Sequence, residues 1–330
     1  MTNLSRREVL MASAAAGAAF ALDLHPAIAQ AYPSRAVTII SPAAAGGGTD
    51  AIARIISAGL QTELGQPFNV VNRTGGSGVV GHSAIATAAP DGYTLGMVPV
   101  EVAMMHHLGL TDLNPASYTP LALMNEDPPG IQVNAESPYK TVKDLIEAVK
   151  SKPAGTFKAS GVGQGGIWHL ALIGWLMSMG LKADHVRWVP SNGAAPALQD
   201  LAAGGIDIVT CSVPEARAMI SAGKVRSLAV MAQQRNPAFA DIPTLKEAAG
   251  TDFSLGAWRG VVAPKGLPKD IADRLTTALQ KVYESKEYSD FMAGRGFGMK
   301  WAGGPAFGEF MAESDAKMKD LMAAAGLAKS

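Results

Sequence analysis

Three junctions in this chain share one plan: an apolar strand, a turn dominated by glycine, and the start of a helix. They are "SPAAAGGGTDAIARII" (41–56), "SGVGQGGIWH" (160–169) and "VPSNGAAPAL" (189–198). A strand that runs through such a turn into a helix cannot pair directly with its sequence neighbour. The next strand must return parallel to it, with the helix packed on the sheet face. Helix starts of this kind also expose backbone N–H groups and the positive end of the helix dipole, which together suit an anion.

The rest of the pattern agrees. "AVTII" (36–40), "FNVVN" (68–72) and "YTLGMV" (93–98) read as strands, being β-branched and bounded by turn residues. Between them lie a helix carrying Ile52, Ile55, Ile56 and Leu60, closed at Gly65, and a second at 79–89. A further series follows: a helix with Val142, Leu145, Ile146 and Val149 on one face, strands at 156–160, 186–189, 206–210 and 225–232, and helices at Trp168–Met179 and 194–203. The stretch "NPASYTPLALMNEDPPG" (114–130) reads as loop-rich and separates the two series. The expected architecture is α/β with parallel-rich sheets in two lobes. Residues 30–130 and 231–330 form the first lobe, and residues 131–230 the second, with a hinge near 128–132 and a return crossing near 230–235. The tail carries amphipathic helices at Ile271–Glu284 and Pro305–Ala324, placed to cover the first lobe. A ligand cleft is expected between the lobes, at the carboxyl ends of the strands.

Residues 1–29 read as a leader. Arg6 and Arg7 precede an apolar run from Val9 to Leu22, and Ala27 and Ala29 supply a small-residue cleavage site. The paired arginines point to the twin-arginine route, and the run is too short to span a bilayer. The implied mature protein is periplasmic, soluble and monomeric. Its 28 basic and 28 acidic residues give no net charge, so nothing suggests a nucleic-acid partner. The single cysteine, Cys211, excludes an intramolecular disulfide.

The glycine loops are candidate sites. N–H groups from Gly46 to Thr49 can converge on an anion, with Thr49 or Asp50 as N-cap, but no Lys–Ser/Thr pair follows as a nucleotide-binding P-loop requires. Glycines kept only for backbone geometry are the plain alternative. "RTGGSGVVGH" (73–82) carries G-x-G-x-x-G at Gly76, Gly78 and Gly81, with Glu101 beyond the next strand, and so admits a dinucleotide-binding exported oxidoreductase. The same spacing at Gly161, Gly163 and Gly166 shows how readily a chain with 36 glycines produces it. The histidines fit no metal-binding spacing: His106 and His107 are expected to point two ways from the surface, and His169 to pack as a hydrogen-bonded core histidine. Neither a catalytic constellation nor a cofactor is implied.

Taken together, "YPSRAVTIISPAAAGGGTDAIAR", "VVNRTGGSGVVGHSAIATAAPDGYTL", "GKVRSLAV", "FADIPTLKEAAG" and "AWRGVVAPKGLP" resemble the substrate-binding receptors of tripartite tricarboxylate transporters, the TctC or Bug family. The resemblance runs from about residue 32 to the C-terminus. It implies a type II periplasmic binding protein whose lobes close on a small carboxylate, held by backbone amides and handed to membrane components of a transporter. A receptor signalling to a sensor instead is equally compatible. Carried onto this chain, the implied ligand-binding residues are Ala43, Ala45, Gly47, Gly48, Thr49 and Asp50 in the first loop, and Ser160, Gly163, Gln164, Gly165 and Gly166 in the second. Ser191, Asn192, Gly193, Cys211, Ser212 and Trp258 would line the remainder. Ala43 stands where the family often has an aromatic residue, Gly163-Gln164-Gly165-Gly166 loses a hydroxyl, and Cys211 replaces a frequent acid. These departures suggest a di- or tricarboxylate or an aromatic carboxylate over an amino acid, with Trp258 free to stack on it.

Overall fold

The computed structural model describes residues 32–43, 45–191 and 193–329. The expected leader therefore lies outside the described residues. The chain divides after Ser34, and the body of the protein is Arg35–Ser330.

Its elements run in the order β1 (Val37–Ser41), α1 (Gly48–Leu64), β2 (Phe68–Asn72), α2 (Val79–Ala86), β3 (Thr94–Pro99), β4 (Tyr118–Asp127), β5 (Gly130–Asn134), α3 (Val142–Ser151), β6 (Lys158–Ser160) and α4 (Ile167–Ser178). There follow β7 (Arg187–Trp188), α5 (Ala194–Ala202), β8 (Ile208–Val209), α6 (Val213–Ser221), β9 (Val225–Val230), α7 (Leu245–Ala249), β10 (Ala257–Pro264), α8 (Lys269–Glu284), α9 (Lys286–Arg295), β11 (Met299–Gly303) and α10 (Gly304–Ala324). A six-stranded sheet has the order β11-β4-β10-β3-β1-β2, and a five-stranded sheet the order β7-β6-β8-β5-β9.

Both sheets are mixed. The strands joined by glycine turns and helices pair in parallel, β1 with β2 and β3, and β6 with β7 and β8. Antiparallel strands complete each sheet: β10 lies between β3 and β4, and β5 between β8 and β9.

The largest departure from the sequence reading is at 114–130, expected as loop. There β4 runs from Tyr118 to Asp127 with Leu121, Ala122, Leu123 and Met124 fully buried. Pro120 argues against an interior strand, because it cannot donate to a neighbour. It is tolerated because β11 pairs with β4 only between Ala122 and Asn125, so no bond to β11 is lost at Pro120. The tail also does more than cover the first sheet. It contributes β10 and β11 as strands, and β10 is buried along all eight residues. The helix α8 packs on α1 so closely that a side-chain carbon at Gly59 would meet Val282 at 2.7 Å.

The core is continuous across both sheets, from Val98, Leu123 and Trp258 to Ile131, Trp175 and Ile208. Gly65 closes α1 in the left-handed region at φ 70°, donating to the Gln61 carbonyl at 3.0 Å, as its place in the sequence implies. Gly260 has a different cause: a methyl there would collide with the Phe307 ring and lie 2.7 Å from the Ala122 carbonyl oxygen. Gly260→Ala is therefore expected to destabilise the protein by about 1–3 kcal/mol. Urea unfolding followed by circular dichroism measures this, and an unchanged midpoint would contradict the packing described.

Candidate functional site

The helix α1 starts at a glycine N-cap, Gly47, with no side chain capping it. The loop before it is tied by Asp50, whose carboxylate accepts from the Gly46 N–H at 2.9 Å, from Arg54 Nε at 3.0 Å and from Asn72 Nδ2 at 2.9 Å. Asn72 Nδ2 also donates to the Ala43 carbonyl at 2.9 Å. Burial would raise the Asp50 pKa, but these hydrogen bonds and the Arg54 charge outweigh it and hold the carboxyl at about 2. Asp50 thus shapes the loop, and the Gly46 N–H expected for a ligand is spent on it.

The second loop is organised by His169. Its Nδ1 accepts from the Gly165 N–H at 2.9 Å while its ring stacks on Trp188 at 4.6 Å. Burial lowers its pKa to about 4, so it is neutral near pH 7. This is the packing role expected from sequence. Gly165 sits at φ 77°, where a side-chain carbon would lie 3.1 Å from Leu108. Here the second loop meets the segment that follows β3. Ser160 Oγ donates to the Val189 carbonyl at 2.6 Å, and Ser191 Oγ to the Gly193 carbonyl at 3.0 Å. Both hydroxyls hold the loops together. The helix α4 then begins at Gly166, again without a side-chain cap.

Both loops face one cavity of about 440 Å³. Ala43 and Thr49 come to it from the first loop, and Gly163, Gln164, Gly165, Gly166 and Ser191 from the second sheet's turns. A third uncapped helix start joins them, because α2 begins at Gly78, which also lines the cavity. By contrast α3, α7 and α9 are capped by Thr141, Thr244 and Ser285. Three glycine-capped helix starts meet at one cavity and bring their positive dipole ends there; the leading N–H donors come from α1 and α4, because in α2 the Val79 N–H donates to the Gly76 carbonyl and the Val80 N–H to the Gly75 carbonyl. Larger grooves of about 910, 720 and 480 Å³ exist elsewhere, but no glycine N-cap is among the residues lining them.

Sequence reasoning missed several of the cavity's side chains as ligand contacts. His82, on α2, is fully buried; its Nε2 has no hydrogen-bond partner, and burial lowers its pKa to about 4. The Tyr118 hydroxyl lies 3.4 Å from its Nδ1. Glu101 is half-buried at the wall, where burial raises its pKa against the pull of Arg259. Ser77 adopts φ 55°, a left-handed conformation rare outside glycine. Met104, Met105 and Leu108 give the opposite wall an apolar lining.

A buried charge cluster supports the first loop. Arg259, 7% exposed, donates from Nε to Thr49 Oγ1 at 3.0 Å and from one terminal nitrogen to Asn125 Oδ1 at 2.5 Å and Asp127 Oδ2 at 2.6 Å. Asp127 and Asn125 in turn hold the Gly298 backbone at 2.8 and 2.6 Å. Arg259 follows Trp258 in the strand, so the two side chains point to opposite faces. Trp258 therefore lies in the core, with edge-on contacts to Phe307 and Phe310 and its Nε1 on Ser314 Oγ at 2.8 Å. The expectation that it faces the cleft is corrected: the residue that reaches the first loop is Arg259.

The other expected residues lie apart from the cavity wall. Ala45 and Gly47 are exposed in the first loop, and Gly48 sits beside the Arg259 guanidinium. Cys211 is buried, its thiol pushed up by burial and lying 3.8 Å from the side-chain amide of Gln132. Ser212 donates to Glu215 from N and Oγ at 3.2 and 2.9 Å. Gly193, at φ 135°, caps α5, while Asn192 lies outside the described residues. Gly81 packs within 2.6 Å of Pro42 if given a side-chain carbon, which accounts for its glycine without a dinucleotide.

The profile described as "Tripartite tricarboxylate transporter family receptor" matches residues 52–327. The chain belongs to this family. Among solved structures it is similar to a TctC solute-binding protein from Polaromonas, at 35% identity and TM-score 0.75, with 88% of this chain and 99% of that one covered. It is also similar to MatC from Rhodopseudomonas palustris, solved with bound malate, at 27% identity, TM-score 0.74 and coverage of 88% and 99%. A second R. palustris protein, solved with adipate, matches at 28% identity, TM-score 0.78 and coverage of 90% and 99%. These relatives are receptors, which sets aside the oxidoreductase reading of the Gly76–Gly81 loop. Among the described residues no helix is long and apolar enough to cross a membrane.

The Asp50 network has a pH signature. A carboxyl held at about 2, against an ordinary 3.8, stabilises the fold above the unfolded value and loses that contribution as pH falls through the folded one. The loss should amount to about 2 kcal/mol, mostly between roughly pH 4 and 2. Asp50→Asn should lower stability by a similar amount at neutral pH and flatten the acid limb, read from urea midpoints across that window.

Proposed function

We propose that this chain is a periplasmic receptor that captures a small organic carboxylate in the 440 Å³ cavity and delivers it to the membrane components of a tripartite tricarboxylate transporter. The observation that carries this reading is the convergence on one cavity of three glycine-started helices without side-chain caps, α1, α2 and α4, of which α1 and α4 supply the N–H donors. Such a site binds a carboxylate through N–H groups and helix dipoles without placing a lysine on it. The malate and adipate held by two relatives are of the same chemical class.

The cavity's composition narrows the class. Helix starts suit carboxylate oxygens, and the wall of Met104, Met105 and Leu108 suits an aliphatic spacer, so a di- or tricarboxylate fits better than an aromatic acid. With Cys211 directed at Gln132, it supplies no argument about the ligand's amino group. Two lobes, 30–130 with 231–330 and 131–230, are the proposed moving bodies. The six-stranded sheet draws its strands from 37–127 and 257–303, and the five-stranded sheet from 130–230, which supports the division. The crossings run side by side, where the Met231 N–H donates to the Pro129 carbonyl at 2.8 Å, as a hinge of two adjacent strands requires.

A thermal-shift panel of dicarboxylates, tricarboxylates, aromatic carboxylates, amino acids and NAD tests the proposal. A ligand at 100 times its Kd should add about 2.7 kcal/mol. Stabilisation by aliphatic di- or tricarboxylates is expected, and stabilisation by NAD alone would overturn the reading. Gly163 offers a control, since a side-chain carbon there meets nothing within 4 Å. Gly163→Leu should fold with an unchanged melting temperature and bind roughly tenfold or more weakly by calorimetry, because its side chain takes up cavity volume.

A further inference from the structure

Behind the cavity wall, the segment after β3 carries a second constellation. His106 and His107 do not diverge, as neighbours in an extended chain would. The 100–110 segment coils, with the Gly109 N–H on the His106 carbonyl at 3.0 Å and the Leu110 N–H on the Met105 carbonyl at 3.0 Å. The two rings lie 3.8 Å apart at 42°, which corrects the expectation that they point two ways. Both face Asp315 on α10: His106 Nε2 is 3.0 Å and His107 Nε2 3.3 Å from its Oδ1. The side chains are only 19%, 13% and 26% exposed.

These contacts are not satisfied hydrogen bonds. His107 Nε2 and Asp315 Oδ1 are buried polar atoms without a hydrogen-bond partner, and so is His106 Nδ1, the ring nitrogen other than the one that faces Asp315. Leaving such groups unpaired is costly. Their spacing matches another arrangement. In a tetrahedral zinc site, with Zn–N and Zn–O distances near 2.0–2.2 Å, neighbouring donor atoms lie about 3.3 Å apart. The two measured edges are 3.0 and 3.3 Å, and one donor atom from each of the three residues falls within 4.8 Å of the others. Two imidazoles and a carboxylate are also the donor types that zinc and its neighbours in the first transition row select.

We propose that His106, His107 and Asp315 form a binding site for a divalent transition-metal ion, with zinc the best match, leaving a fourth position open to solvent. The ion would clamp α10 to the segment whose other side chains, Met104, Met105 and Leu108, line the carboxylate cavity. The C-terminal strand of chain is tied to the same point, since the Lys329 N–H donates to the His107 carbonyl at 2.9 Å. The proposal does not rest on the ligand assigned to the cavity.

The test uses the chain purified without a histidine tag and stripped with chelator. Zn²⁺ titrated by calorimetry should bind at one equivalent, and Co²⁺ at the same site should give the strong visible absorption of a four-coordinate ion. His106→Gln, His107→Gln and Asp315→Asn should each weaken Zn²⁺ binding roughly 100-fold. Asp315→Asn is isosteric, and circular dichroism verifies that it folds. Zn²⁺ should also raise the melting temperature of the parent chain and not that of Asp315→Asn. Absence of saturable Zn²⁺ binding, or binding unchanged in Asp315→Asn and His106→Gln, overturns the proposal. Carboxylate binding measured alongside keeps the two assignments separable, because either can fail while the other stands.

Discussion

Arg259 is the point on which the first loop, the first sheet and the tail all bear. A guanidinium only 7% exposed must have its donors met, since a buried cation without partners is strongly destabilising. Its partners come from two separate parts of the chain, and a third is held through them. Thr49 opens α1, Asn125 and Asp127 end β4, and through those two the Gly298 backbone is held ahead of β11. Charge-assisted hydrogen bonds of this length are among the strong ones, and their geometry is demanding. The cluster therefore fixes where α1 begins relative to the strands. That placement decides where its N–H groups point.

The cavity inverts the usual relation between side chains and recognition. The polar side chains behind its two loops are engaged in shaping those loops: Asp50 with Gly46, Arg54 and Asn72, His169 with Gly165, Ser160 with Val189. What they leave over is backbone. Gly78 at φ 97° and Ser77 at φ 55° hold the start of α2 in a conformation most residues avoid, and strain of this sort is kept where surrounding structure imposes it. At the cavity wall itself, His82 keeps a buried Nε2 without a hydrogen-bond partner. A receptor built this way can change its ligand through cavity shape, without altering the anchoring of the carboxylate.

The sequence reading succeeded where structure is local. Strand β2 is found at the same residues, and the helices at 142–151, 167–178 and 194–202 lie within a residue or two of their expected spans. It failed for β4, β10 and β11, whose antiparallel partners lie far off in sequence, as Pro264 paired with Tyr118 shows. The short helices α6 and α7 were passed over although their boxes, Ser212 with Glu215 and Thr244 with Glu247, were legible in the residues. Of the candidate site, the first and second loops were legible because glycine at a strand-to-helix junction starts the helix with no side chain over its N–H groups. Trp258 was misplaced because a strand's alternation says that neighbours face apart, not which one faces the cleft.

By itself the sequence determined the βαβ segments, their glycine-capped helix starts and hence an anion-seeking backbone. Those features depend on residues a few positions apart, where backbone freedom and hydrogen-bond donors are set by chemical type. Tertiary structure decided the rest. It buried Arg259 and not Trp258 beneath the first loop, set Leu108 against Gly165, and brought Asp315 onto two histidines more than two hundred positions earlier. Such meetings follow from which strands pair and which helix faces are buried. Those choices are settled by the packing of the whole core, which no local stretch encodes.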